Sequence, residues 1–156
     1  MSREPSIDRE GVLKRFGELC RKNRIPLTVQ RRAILSALLP HKDHPTADAI
    51  YEEIRKDLPS VSRTTVYRVL ETIVDLGLAN KVSHPGSAVR FDPITERHHH
   101  LVCRRCDRVV DLEASSLKPA AIPAGKRQGF MIDDYSIYFR GLCAECQKTK
   151  KNKEAL

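Results

Sequence analysis

Two C-x-x-C pairs, Cys103-Arg104-Arg105-Cys106 and Cys143-Ala144-Glu145-Cys146, constrain this chain more than any other feature. Four thiolates delivered from two tight turns suit the tetrahedral preference of Zn(II), and a site with four protein ligands keeps no position open for substrate. The spacing therefore points to a structural ion. The competing readings are a thioredoxin-like redox pair or two unrelated turns, but neither pair reads as opening a helix within a β-α-β pattern. A structural zinc contributes on the order of 10 kcal/mol to folding. A small segment needs such help in a chain with 5% aromatic residues and no Trp.

The fifth cysteine, Cys20, has a different setting. Val12, Phe16, Leu19 and Cys20 recur at intervals of three and four, one apolar face of a helix within residues 7–23, so Cys20 reads as a small core residue. Thr28 caps a second helix, Val29 to Leu39, which Pro40 stops. Thr46 caps a third, Ala47 to Leu58, with Ile50, Tyr51 and Ile54 inward and Pro59 beyond it. Ser62 caps a fourth that carries Val66, Leu70, Ile73 and Leu76 and ends at Gly77. Two strands follow, Leu78 to Ser83 and Ala88 to Asp92, around the turn residues His84-Pro85-Gly86-Ser87. Four helices and then a hairpin is the element order of a winged helix-turn-helix.

Beyond Pro93 the character changes. His99 to Cys103, Val109 to Leu112 and Phe130 to Leu142 read as strands, while Pro119 and Pro123 would interrupt any helix across Ser115 to Gly129. The expectation is an α+β chain with an N-terminal domain over residues 1–92 and a second, metal-bearing domain over 93–156. Neither the N-terminus nor any other stretch offers an apolar run of roughly 18 residues, so a cytoplasmic protein with reduced cysteines and no membrane association is expected.

Twenty-eight basic residues against 20 acidic ones give a net charge of +8, which favours an anionic polymer, nucleic acid before membrane, as partner. The excess is densest between Leu19 and Lys42, where Arg21, Lys22, Arg24, Arg31, Arg32 and Lys42 occur with no acid among them. The basic tail from Lys148 to Lys153 reads as a solvated end.

A second constellation is less tightly specified. On a strand His98 and His100 share one face and His99 takes the other. Asp92 lies at the junction of the halves, Asp111 at the end of the strand after the first cysteine pair, and His44 in the loop before the third helix. Imidazole and carboxylate together suit Fe(II), Mn(II) or Zn(II), and five such ligands leave room for a sixth. On spacing alone, a polar surface histidine cluster explains these residues equally well.

Leu27-Thr28-Val29-Gln30-Arg31-Arg32, His44-Pro45-Thr46-Ala47-Asp48, Val61-Ser62-Arg63-Thr64-Thr65-Val66-Tyr67-Arg68, the H-x-H and both cysteine pairs resemble the ferric uptake regulator family over nearly the whole chain. The resemblance implies a homodimeric, metal-dependent repressor of double-stranded operator DNA, with an N-terminal winged helix and a small α/β dimerisation domain, and no enzymatic activity. It implies Zn(II) on Cys103, Cys106, Cys143 and Cys146, and a regulatory Fe(II) or Mn(II) on His44, Asp92, His98, His100 and Asp111. It places the fourth helix in the major groove with Ser62, Arg63, Thr64, Thr65 and Tyr67 toward DNA, and Arg31 against phosphate.

Asp at position 111 resembles the peroxide-sensing branch, since many iron sensors carry Glu there. That branch implies that His44 and His98 each gain one oxygen in alternative molecules, so that the ion leaves and DNA is released. An iron-responsive repressor without peroxide sensing is the alternative. A further site of many iron sensors uses histidines where this chain has Arg97 and Tyr135, so that site is expected to be absent. Two rivals come from other classes: a zinc hydrolase, which lacks a further carboxylate motif tied to the H-x-H and leaves the recognition-helix motif unexplained, and a zinc-stabilised interaction module, for which the basic surface is merely solubilising.

Overall fold

The computed structural model describes residues 7–83, 88–118, 126–132 and 135–148. The turn at 84–87, the segment 119–125 that holds Pro119 and Pro123, and the tail beyond Lys148 lie outside the described residues. The chain divides into two units, Met1–Thr95 and Glu96–Leu156.

The first unit has four helices, α1 (Arg9–Lys22), α2 (Val29–Leu38), α3 (Ala47–Ile54) and α4 (Arg63–Asp75), and a two-stranded wing, β1 (Asn80–Val82) and β2 (Arg90–Asp92). Each expected cap is present. Thr28, Thr46 and Ser62 accept from the amides of Arg31, Ala49 and Thr65 at 3.2, 3.2 and 3.1 Å, which satisfies a first-turn donor of each helix. One apolar cluster fills the unit: Phe16 and Cys20 from α1, Ile34, Leu35 and Leu38 from α2, Ile50 from α3, Leu70 and Ile73 from α4, and Phe91 from the wing. Cys20 is fully buried there, as its helical spacing predicts.

Helix α3 and both wing strands differ in extent from the sequence expectation. Helix α3 stops at Ile54, because Pro59 forces Leu58 out of the helical region and the last turn opens at residues 55–57. The wing strand begins at Asn80 and not at Leu78. Gly77 adopts φ +69, and the amides of Gly77 and Leu78 turn back onto Val74 and Ile73 at 2.8 and 3.0 Å, closing the end of α4. Leu78 is thus occupied before the wing starts. The return strand likewise begins at Arg90 rather than Ala88.

The second unit holds a three-stranded sheet in the order β4-β3-β5, with β3 His98–Cys103, β4 Val109–Glu113 and β5 Tyr138–Gly141. Strands β3 and β4 are antiparallel, and β5 runs parallel to β3. The expected strand from Phe130 to Leu142 shrinks to four residues. His100 pairs with Tyr138, and in that register the described residues 130–132 lie before the start of β3 at His98. Asp111 stands inside β4, opposite His100, instead of ending its strand.

Candidate metal centres and nucleic-acid interface

Cys103 ends β3, Cys106 follows in a tight turn closed by the Asp107 amide on the Cys103 carbonyl at 2.9 Å, and Cys143 and Cys146 lie just past β5. The parallel pairing of β3 with β5 brings both turns to the same end of the sheet. All four sulfurs lie within 4.8 Å of one another, and Cys106 Sγ to Cys143 Sγ is 3.8 Å. A regular tetrahedron with bonds of ~2.3 Å has edges of ~3.8 Å. No disulfide is formed.

The cluster is already polarised toward a cation. The Cys143 amide donates to Cys103 Sγ at 3.4 Å. With the amides of Arg105 and Cys106 it holds the Cys103 thiol down at about 6, whereas burial, and then the three neighbouring sulfurs, push Cys146 up to about 12. A divalent ion among the four sulfurs would offset their mutual repulsion as thiolates. The second pair opens a helix over the described residues 144–148, with no β-α-β unit around it among the described residues. The convergence of four sulfurs separates it from a redox pair.

The histidine and carboxylate residues form one set within each unit. In the first, His44 and Asp92 are both buried, with His44 Nε2 3.7 Å from Asp92 Oδ2. The His44 backbone sits at φ +54, a conformation costly for a non-glycine residue and one that commonly marks a functional position. Three contacts hold it there: Arg90 donates to the His44 carbonyl at 3.0 Å, the Phe91 amide to the Pro45 carbonyl at 2.9 Å, and Thr46 bridges Arg90.

In the second unit the register does the same work. His98 and His100 point to one face of β3 with ring centroids 4.7 Å apart, and Asp111 Oδ1 lies 3.5 Å from His98 Nε2 and 3.9 Å from His100 Nε2. These separations exceed a hydrogen bond and suit donors arranged about one ion. His99 faces the other way, buried and stacked on Tyr135 at 5.8 Å, with the Arg97 guanidinium 5.0 Å from the same ring.

Helix α4 presents Ser62, Arg63, Thr64, Tyr67 and Arg68 to solvent. Tyr67 meets Phe91 edge-on at 6.5 Å yet stays 45% exposed, so it is not a core aromatic. Thr65 is tied to Ser62 through their hydroxyls at 2.8 Å. Between α2 and α4 runs an open groove lined by Thr28, Gln30, Arg31, Thr65, Arg68 and Thr72, with the Arg31 guanidinium fixed on the Pro26 carbonyl. Sequence reasoning missed Arg68, although it lies one turn beyond Thr64 on the same face. It also missed that the Arg63 guanidinium, above its ordinary pKa chiefly through its hydrogen bond to Asp48, is held by Asp48 and Glu52.

A family model described as the ferric uptake regulator family matches residues 22–140. The chain belongs to the ferric uptake regulator family. The peroxide-responsive repressor PerR of Staphylococcus saprophyticus is 34% identical over 127 residues, spanning 81% of this chain and 86% of that protein. The protein of the same name in Staphylococcus aureus strain Mu50 is 34% identical over 123 residues, 79% of this chain and 83% of that one. The ferric uptake regulator of Helicobacter pylori, described as having three functional metal binding sites, shares the fold with a TM-score of 0.75 at 21% identity, over 92% of this chain and 97% of that one.

Members of the ferric uptake regulator family are transcriptional regulators, not enzymes. The winged helix followed by a small sheet with four converging cysteines is the architecture expected of such a member, and its donor sets fit a structural zinc and a regulatory Fe(II) or Mn(II). Among the described residues no helix is long and apolar enough to cross a membrane.

Proposed function

We propose that this family member is a metal-responsive, dimeric repressor of the cytoplasm that senses peroxide through the imidazoles of its regulatory site. The observation that carries the reading is the pairing of Asp111 with His98 and His100 in one unit and of Asp92 with His44 in the other, in a chain whose curated relatives include peroxide-responsive repressors. Two donors in the first unit are too few to hold a transition-metal ion well, and three in the second leave coordination incomplete. Sharing one ion among His44, Asp92, His98, His100 and Asp111 satisfies both. Cys103, Cys106, Cys143 and Cys146 hold the structural zinc.

In this reading residues 1–92 bind DNA and residues 93–156 hold metal and dimerise. Leu101, Val110 and Phe139 stand side by side across the three strands, each exposed by more than two fifths, and supply an apolar stripe for a second copy. Helix α4 enters the major groove, with Ser62, Arg63, Thr64, Thr65 and Tyr67 toward DNA, Tyr67 on thymine methyls and Arg31 on phosphate. Moving such a switch from 1:99 to 99:1 takes about 5.5 kcal/mol of differential affinity, within reach of several ligand bonds made in one state only.

Fe(II), if held by these residues, would activate peroxide beside its ligands. A ring carbon of His44 or His98 would then take one peroxide oxygen in place of its hydrogen while the other oxygen leaves as water, the ring losing the two electrons that peroxide gains. Its nitrogen would become a poor donor, and the ligand set that holds the DNA-binding geometry would be broken. The zinc-bound sulfurs lack the reactivity of a free thiolate and are spared. Peptide mass spectrometry after iron loading and mild peroxide tests this. One added oxygen on the His44 or His98 peptide, together with DNA release, is expected, and the Mn(II) form should ignore peroxide. Oxidised Cys103 or Cys143 with intact His44 and His98 would make the protein a thiol switch, and release by chelator alone with no peroxide response would make it an iron sensor.

A further inference from the structure

Arg63 is the first residue of the proposed recognition helix, with 56% of its side chain exposed, yet its guanidinium is already engaged on three sides by α3. One terminal nitrogen donates to Asp48, the other to Glu52 Oε1 at 2.7 Å, and the plane lies 4.4 Å from the centroid of the Tyr51 ring. Glu52 also accepts from Arg55 Nε at 2.8 Å. Asp48, Tyr51 and Glu52 are spaced at three and four along α3 and so share one face, and Arg55 caps the end of that helix. This arrangement is a clamp from one helix onto the leading residue of the next.

We propose that Asp48 and Glu52 are specificity-determining residues, which withhold Arg63 from the phosphate backbone of arbitrary DNA and present its remaining N–H groups to a base edge of the operator. The inference rests on the DNA-binding reading above. A solvated arginine that binds phosphate releases a condensed counterion, and that release drives sequence-independent affinity. Arg63 has carboxylates as its counterions, so moving onto a phosphate exchanges one anion for another and strands Asp48 and Glu52 beside the duplex. Binding to unrelated DNA gains little from it. A guanidinium has five N–H donors, of which the clamp uses two, so a base acceptor can be met without breaking either contact. The clamp therefore penalises the wrong partner more than the right one.

The test compares the Mn(II)-loaded parent with Asp48→Asn/Glu52→Gln, Arg63→Ala and the triple variant, by fluorescence anisotropy across a salt series. The probes are a duplex selected by the parent from a randomised pool and a shuffled duplex of the same composition. The double variant should bind the shuffled duplex severalfold more tightly, its log–log salt slope should steepen by about 0.9, as for one added phosphate contact, and its preference for the selected duplex should fall. Arg63→Ala alone should weaken the selected duplex and leave the shuffled slope as it was. The triple variant should lose the gain of the double, which places the effect in Arg63 and not in general charge removal.

A gain that persists in the triple variant, an unchanged double variant, or a shuffled slope flattened by about 0.9 in Arg63→Ala would each overturn the proposal. Glu52→Gln alone, which spares the first-turn acid of α3, gives the same reading if the double variant melts early. A parent that enriches no sequence and binds no duplex would instead remove the DNA-binding reading itself, and that result is read before any variant is made.

Discussion

The two units solve the same stability problem with different materials. The first buries aliphatic and aromatic side chains from four helices and a wing strand around Phe16, Leu70 and Phe91. In the second, the buried side chains among the described residues are Val102, Val109, Cys103, Cys146, His99 and His100, so four of the six are metal-ligand types. A unit with that interior gains little from transfer of apolar surface, and in the proposed reading it draws its stability from a zinc ion on its four cysteines. The first unit should therefore behave as an ordinary hydrophobic fold, and the second as one that is folded only with its metal.

The comparison breaks first at the zinc. Cys106→Ser leaves three thiolates and forfeits much of a contribution on the order of 10 kcal/mol. Metal analysis should find zinc gone and dimerisation lost, while circular dichroism retains the helical signal of the first unit. Zinc at full occupancy would contradict the assignment. Acid should act the same way, since the ligands must stay deprotonated: zinc is held at neutral pH and released as pH falls, with the second unit melting first.

The reverse experiment is Leu70→Ala. It opens a cavity at the centre of the first core and should cost about 2–5 kcal/mol. Thermal melts should show the helical transition moved down while zinc content is unchanged. A smaller loss, about 1 kcal/mol, is expected from Ser62→Ala, which leaves the Thr65 amide at the start of α4 without its cap, and chemical denaturation reads it.

The finest distinction is one of pH. His41 bonds Asp43 at 2.8 Å and Glu53 at 2.9 Å. Burial opposes its charge, but the two carboxylates outweigh burial and raise its pKa above the ordinary value. A raised folded pKa means stability that is full below about 6.5 and is lost as pH climbs through the folded value. His41→Gln should flatten that slope in the first unit and leave zinc retention in the second unaffected. An equal slope in the variant would assign the pH dependence elsewhere.

Legibility in the sequence followed the range of the interaction. Caps were readable because Thr28, Thr46 and Ser62 act three residues along their own chain, and helix faces because their period is local. The four cysteines were readable because each pair makes its own turn, whatever the rest of the fold does. The strand from Phe130 was overdrawn because a strand exists only where a partner lies, and β3 offers one only opposite Tyr138 to Gly141.

The sequence by itself determined the order of four helices and a wing, the zinc-type ligand spacing and the identity of the donors that the family resemblance carries. Tertiary structure alone decided three things: that Asp111 stands between His98 and His100 by the register of β3 on β4, that His44 is held at φ +54 by the wing, and that Asp48 and Glu52 capture Arg63. Each depends on residues 11 or more positions apart in the chain meeting through the packing of separate elements. Spacing along one helix or strand encodes which face a side chain takes, but only packing encodes what that face meets.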